Sequence, residues 1–279
     1  AFARSRGLIY EEAQGSAYAA RILDPESRKD LAEISFAALP PDQATVALEA
    51  GAADLKLSFR PEAAFGTHAV ATDALVAIVA PDNPTPEIST VELAGVLAGE
   101  VTNWSQIGGP DMPVVLHALA ADTDIQQALG ERLGAKEGAT VLHPDLATLA
   151  EAVAKDPWAI AISGRSAIAP ARRMPLTDSC GFPLLPTSLA IKAEDYPLAL
   201  PVLILTPKRR LPLLTREFLD FLRTPAAQDA VAAAGFVDRS ASRQPMTADG
   251  LRLLNAIQGA GEDVTLDDLK RLAGIMDGA

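Results

Sequence analysis

A single cysteine, Cys180, stands among 279 residues, and a lone thiol closes no internal disulfide. It is read as a plain structural or surface residue and leaves the redox compartment open. Basic residues are outnumbered, 24 Lys and Arg against 36 Asp and Glu, for a net charge of -12. A field of that sign repels nucleic acid and anionic membrane surfaces, which excludes both as partners, but it does not exclude a small anion held by local dipoles. The longest apolar run, near residues 198–205, falls far short of the roughly 20 residues of a bilayer-spanning helix, so no membrane insertion is expected. The three histidines, His68, His117 and His143, share no metal-ligand spacing with a cysteine or acidic partner, and they read as ordinary partly buried side chains. No metal and no cofactor is expected. A P-loop, a dinucleotide fingerprint and a nucleophile elbow are all missing, so nothing argues for catalysis. The chain opens at Ala1 without a basic n-region or apolar h-region, so any export signal is expected to have been removed or never included.

What is present is a chain that is 49% hydrophobic and long enough to bury a substantial core in two lobes. Strand and helix patterns alternate. A short helix over Ala44–Ala50 stops at Gly51 and leads to a strand over Asp54–Phe59. Pro113–His117 reads as a strand, and Ile125, Leu129 and Leu133 mark the helix after it. Asp145 caps a helix with Leu146, Leu149 and Val153 on one face, and the chain returns as a strand over Trp158–Ile162. Val202–Thr206 is a further strand. Helices follow over Pro212–Leu222 and Pro225–Ala234, the second with Thr224 as N-cap and Gly235 just beyond its end. This alternation predicts α/β lobes with mostly parallel sheets. The tail from Pro245 carries two helix candidates, Leu251–Ile257 and Leu266–Leu272.

The most specific stretch runs from Leu75 to Pro110. Leu75–Val79 is a continuous apolar strand stopped by Pro81-Asp82-Asn83-Pro84. Ser89-Thr90-Val91-Glu92 is a capping box, Leu93, Val96 and Leu97 make one helical face, and Gly99 stands where a left-handed residue is wanted. An Asn-Trp-Ser and then a Gly-Gly-Pro turn follow. With Val79, Pro81, Asn83, Pro84, Leu93, Gly99, Asn103, Trp104, Gly108, Gly109 and Pro110 in place, the stretch resembles the phosphate-type periplasmic solute-binding proteins. Glu194-Asp195-Tyr196-Pro197-Leu198, Ala227-Gln228 and Gly235-Phe236-Val237 match the end of that family.

The resemblance implies an α/β, two-lobed periplasmic-binding-protein fold of type II, with the first lobe starting after its first strand. The lobes expected are 1–69 plus 190–245 and 70–189, with 246–279 as a helical tail. In relatives carrying the Glu-Asp-Tyr-Pro-Leu variant, a peptidoglycan-binding domain of the outer-membrane protein A type often follows. The implied function is extracytoplasmic solute binding in the periplasm. The implied partners are a small-molecule or anion ligand and an ABC-transporter membrane component or cell-envelope protein. A binding-protein fold that has lost its ligand and serves as a structural or interaction module is the alternative.

The family holds phosphate with backbone N-H groups at helix N-termini, hydroxyls and an Arg, because charge-assisted bonds are the strong ones. Tested loop by loop, little of that set is found here. The first Gly-Ser-x-Thr loop does not occur after Ala1. The second falls at Pro40-Pro41, where proline removes the N-H donors. The third survives as Ser58-Phe59-Arg60. In the fourth, Leu119 and Ala120 replace Arg and Asp, and Thr123-Asp124-Ile125 replaces Ser-Gly-Thr. Asp122 or Thr123 caps the helix there, with Gln126 reaching back, and Asp122 and Asp124 repel an incoming anion. The candidate ligand-binding residues are Ser58, Arg60, Asp122 and Thr123. Arg60 reads equally as an ion-pair residue, and Asp122 and Asp124 as caps or as contacts to a cation or amine.

Overall fold

The structure is a computed structural model that describes residues 1–13, 19–133 and 141–240. The predicted tail helices, the expected tail 246–279 and any domain beyond it lie outside the described residues. In chain order the elements begin with helix α1 (Phe2–Ser5), the strands β1 (Ile9–Glu12), β2 (Ala19–Leu23) and β3 (Asp30–Ser35), helix α2 (Pro41–Ala50), strand β4 (Lys56–Ser58) and the long strand β5 (Gly66–Val79). Next come β6 (Ile88–Ser89), α3 (Thr90–Leu97), a 3-10 turn at Trp104–Ile107, β7 (Val115–Leu119), α4 (Asp124–Leu133), β8 (Val141–His143), α5 (Leu146–Lys155) and β9 (Ala159–Gly164). The chain finishes with the two-residue strands β10 (Arg172–Arg173), β11 (Leu176–Thr177) and β12 (Pro183–Leu184), then α6 (Ser188–Lys192), β13 (Ala199–Thr206), α7 (Leu213–Phe221) and α8 (Pro225–Ala233). Among the described residues no helix is long and apolar enough to cross a membrane.

The described residues divide into two compact units, one of Ala1–Asp73, Asp122–Ala128 and Leu200–Ser240, the other of Ala74–Ala121 and Leu129–Ala199. The chain passes from one to the other inside β5, between β7 and α4, inside α4 and at the start of β13.

In the first unit, β1, β2 and β3 form an antiparallel meander. It was not anticipated from the sequence, because its strands are only four to six residues long. The main sheet of this unit places β13 between β4 and β5, with β4 antiparallel to β13. β13 obeys the period of two. Leu203 and Leu205 pack with Leu48 of α2, while Val202 and Ile204 pack with Val70 and Ala71 of β5 and with Phe218, Leu219 and Val231 of α7 and α8. Helix α2 starts at Pro41, three residues before the predicted Ala44, because proline is pre-set for the first helical position. Gln228 of α8 donates to the carbonyls of Val70 and Leu222 and so ties the helix to β5.

The second unit is built on the apolar half of β5. Leu75–Val79 pair antiparallel with β9, which pairs parallel with β7, which pairs parallel with β8. The sheets are therefore mixed rather than mostly parallel. Strand β5 returns beside β9 without a right-handed helical crossover between them, and β4 and β13 likewise pair antiparallel. The predicted capping box of α3 is present in both directions: Glu92 N-H donates to Ser89 Oγ at 3.2 Å, and Ser89 N-H to Glu92 Oε2 at 2.8 Å. Asp145 caps α5 by accepting from the Thr148 N-H at 2.8 Å.

The residues that carry the sequence signature are structural. Asn83 donates from Nδ2 to the Pro157 carbonyl at 2.7 Å and accepts from the Thr85 N-H at 2.9 Å. Asn103 caps the 3-10 turn, accepting from both the N-H and the hydroxyl of Ser105. Trp104 is completely buried and donates its indole N-H to the Trp158 carbonyl at 3.0 Å. The paired glycines serve different ends. Gly108 holds φ at 79°, a left-handed conformation, while Gly109 lies so close to its neighbours that a Cβ there would sit 2.7 Å from Thr85 Oγ1 and 2.9 Å from Trp104 Cβ. Gly109→Ala is therefore expected to destabilise the protein by about 2 kcal/mol through overpacking. Urea denaturation at equilibrium reads the loss, and an unchanged midpoint would mean that the Trp104 corner is looser than this geometry.

Candidate functional site

Strand β4 and the residues after it carry the polar centre of the first unit. Leu55-Lys56-Leu57-Ser58-Phe59 alternates apolar with polar, a pattern that ordinarily turns the polar residues to solvent. The structure does the reverse at its middle. Lys56 and Ser58 are only 5% and 4% exposed, whereas Leu57 is 59% exposed. The pairing register explains their side: Lys56 opposes Leu205 and Ser58 opposes Leu203, so both face α2 along with those leucines.

A buried ammonium is costly unless each N-H is used. Lys56 Nζ donates to Glu62 Oε1 at 2.6 Å, to Thr45 Oγ1 at 2.7 Å and to the Pro41 carbonyl at 2.9 Å. The Thr45 hydroxyl in turn donates to that carbonyl at 3.0 Å. Ser58 Oγ accepts the Arg60 N-H at 3.2 Å. The Arg60 guanidinium reaches α4, donating from Nη2 to Gln127 Oε1. Asp124 stands in the first turn of α4, with its Oδ1 buried and without a hydrogen-bond partner among the described residues. Burial pushes its carboxyl above the usual range, against the opposing influence of Lys56, Arg60, Ser58 and Phe59.

Of the four predicted ligand contacts, Ser58 and Arg60 lie together in this centre. Thr123 is half-buried and caps α4, its hydroxyl facing the Gln126 N-H at 3.4 Å. Asp122 is exposed. Lys56, Thr45, Glu62 and Gln127 were not singled out by the sequence. Only the inversion of the β4 pattern could have pointed to Lys56, and that is visible only once the register is known. At the N-terminus of α2, Pro40 is the cap and Pro41 the first helical residue, and no side chain caps the helix. Neither residue has an N-H to offer an anion.

Elsewhere, His117 of β7 and His143 of β8 stack with ring centroids 5.0 Å apart, Nδ1 of the first lying 2.9 Å from Nε2 of the second. Burial, and secondarily the charge of His143, lowers the pKa of His117, with Asp156 opposing. Among the described residues, no group of three or more His, Cys, Asp or Glu is placed to hold a metal ion. Cys180 is exposed and free.

A sequence model described as a PBP superfamily domain matches residues 32–226. Among solved structures, a putative phosphate ABC transporter substrate-binding protein with bound phosphate from Clostridium perfringens is similar at a TM-score of 0.65 and 19% identity, over 71% of this chain and 84% of that one. An ABC-type phosphate transport receptor from Vibrio cholerae is similar at a TM-score of 0.57 and 21% identity, over 69% and 82%. A possible phosphate binding protein from Planctomyces limnophilus DSM 3776 is similar at a TM-score of 0.51 and 18% identity, over 77% and 84%. No curated protein matches. At these identities the structures establish the fold, the two-lobed α/β fold of periplasmic binding proteins.

Two outcomes follow from the geometry. Removing Glu62 leaves the Lys56 ammonium buried without its counter-charge, so Glu62→Ala is expected to cost about 3 kcal/mol, while Lys56→Met combined with Glu62→Leu recovers most of it; chemical denaturation of the three proteins checks this. For His117 the folded pKa lies below the unfolded value of about 6.5, so its contribution to stability is present above that pH and is lost as pH falls through it. Unfolding midpoints measured down through this range should drop less in His117→Gln than in the unaltered protein.

Proposed function

The chain belongs to the PBP superfamily domain family, and from that premise we propose that it is an extracytoplasmic solute-binding protein of the ABC-transporter type that takes a small ligand other than free phosphate. The observation that carries this reading is that Arg60 and Ser58, the surviving members of the expected anion set, are bonded to each other and that the Arg60 guanidinium is engaged by the protein's own Gln127. The remaining phosphate donors are replaced. Prolines stand at the start of α2, and Thr123 and Asp124 occupy the start of α4. Periplasmic residence and a transporter membrane component as partner belong to the same reading, as does association with a cell-envelope domain of the outer-membrane protein A type. The structural relatives whose descriptions name phosphate support the class of function and not the ligand. The structural centre around Lys56 has no arrangement of nucleophile and base, which favours binding over catalysis.

Thermal unfolding in the presence of phosphate, sulfate, a panel of amines and a panel of divalent metals tests the reading. A ligand at a hundred times its Kd stabilises by about 2.7 kcal/mol. The expected outcome is a shift with at least one amine or other non-phosphate solute, no shift with phosphate, and loss of the shift in Arg60→Ala. No shift with any compound would overturn solute binding in favour of a ligand-free interaction module of the cell envelope.

A further inference from the structure

The second unit holds a pocket of about 440 Å³, whose described lining residues all lie between Ile168 and Tyr196. That volume is in the range of small-molecule sites. Its frame is set by backbone pairing. Arg172 and Arg173 of β10 run antiparallel to Val79 and Ile78 of β5, the Met174 N-H donates to the Ala77 carbonyl at 2.9 Å, and β11 is held between β12 and β6. Ile168, Met174, Leu176, Leu184 and Leu185 supply apolar walls, and Leu185 remains 41% exposed.

The polar lining is small and unevenly used. Tyr196 gives its hydroxyl proton to the Leu75 carbonyl at 2.8 Å, and Arg172 Nη2 donates to the carbonyls of Asn83 and Thr85 at 2.7 and 3.2 Å. Arg173 is different: it is exposed, and among the described residues its guanidinium has no hydrogen-bond or ion-pair partner. Nor is any Asp or Glu among the described residues that line the pocket, in a chain whose acids outnumber its bases by 36 to 24. Apolar walls beside an unused guanidinium complement a molecule with an apolar body and one anionic end, and the planar fork of Arg suits a carboxylate. A bare anion gains nothing from the walls, and a neutral chain leaves the guanidinium unused.

We propose that this pocket binds an aliphatic carboxylate of medium chain length, with the carboxylate on Arg173 and the chain among Ile168, Met174, Leu176, Leu184 and Leu185. The site shares no residue with the centre around Arg60 and goes beyond the functional reading above.

Calorimetric titration with octanoate and decanoate, each below its micellar concentration, tests this. The unaltered protein is expected to show one saturable site, with affinity rising about fourfold for each added methylene. Acetate, which lacks the chain, and octylamine, which carries the opposite charge, should not compete. Arg173→Gln is expected to weaken octanoate at least about tenfold, the worth of one charge-assisted hydrogen bond. Leu185→Asp, which places a like charge among the walls, should weaken it as well. Both residues are exposed, and cooperative unfolding of each variant is checked first. Absence of octanoate binding, equal affinity for octylamine, or unchanged affinity in either folded variant would overturn the inference and leave the functional reading intact. Loss of octanoate binding in Arg60→Ala but not in Arg173→Gln would overturn it too, by placing the carboxylate in the first unit, in support of the functional reading.

Discussion

The ammonium of Lys56 governs how the first unit is assembled. Once buried it has to spend each of its N-H groups on an acceptor, and the three it finds come from the first turn of α2 and from the segment after β4. The Pro41 carbonyl, at the start of a helix whose proline lacks an N-H, accepts from both Lys56 and Thr45. This joins strand, helix and connecting segment through one charged group. It also sets the rotation of β4, because with Lys56 turned toward α2 the strand period turns Ser58 the same way and leaves Leu57 outside. The side on which the Ser58 hydroxyl stands is therefore set by a residue two positions earlier.

The second unit is organised by apolar burial and saturated backbone groups instead. Leu75–Val79 is almost fully buried, and the helices α3 and α5 add the buried Leu93, Val96, Leu149 and Val153 to the core of the same unit. Its polar side chains mostly serve the backbone. Tyr196 donates its hydroxyl to the Leu75 carbonyl at 2.8 Å, and Arg172 donates to the carbonyls of Asn83 and Thr85. Burial holds the Tyr196 hydroxyl protonated well beyond its usual range, as suits a permanent donor. In this unit, the matching residues from Asn83 to Pro110 secure turns and helix ends, so a sequence can keep all of them while its ligand chemistry changes.

That separation explains what could be read from the sequence. Capping boxes, glycine stops and apolar periodicity are local signals, and the ones at Ser89, Asp145, Thr224 and Gly99 appear where the residues placed them. The meander of β1 to β3 was not legible, because strands of four to six residues are too short for their period to stand out in the sequence. Nor was the pairing sense of the sheets, since parallel and antiparallel partners are set by long-range contacts. The candidate site divides in the same way. Ser58 and Arg60 were legible through the motif around them, whereas Lys56 and Glu62 were hidden by an alternation that reads as a solvated strand edge. Asp124 was read as a helix cap or as a contact to a cation or amine, and the cations that act on it, Lys56 and Arg60, lie more than 60 residues away in sequence.

On the proposed reading, the charges in this centre decide which solutes it tolerates. Lys56 and Arg60 supply two positive groups, and Glu62 and Asp124 supply two carboxylates, one bonded to Lys56 and the other under the influence of both cations. A free phosphate entering such a cluster adds negative charge where the cations are already matched, and the pair Lys56–Glu62 cannot be loosened without exposing a buried ammonium to the cost it now avoids. The overall charge of -12 acts in the same direction at long range, although salt screens that field and leaves the contact chemistry nearly untouched. On the proposed reading, the specificity of this chain is a matter of which charges it supplies itself, with Glu62 bonded to Lys56 and Asp124 under the influence of Lys56 and Arg60.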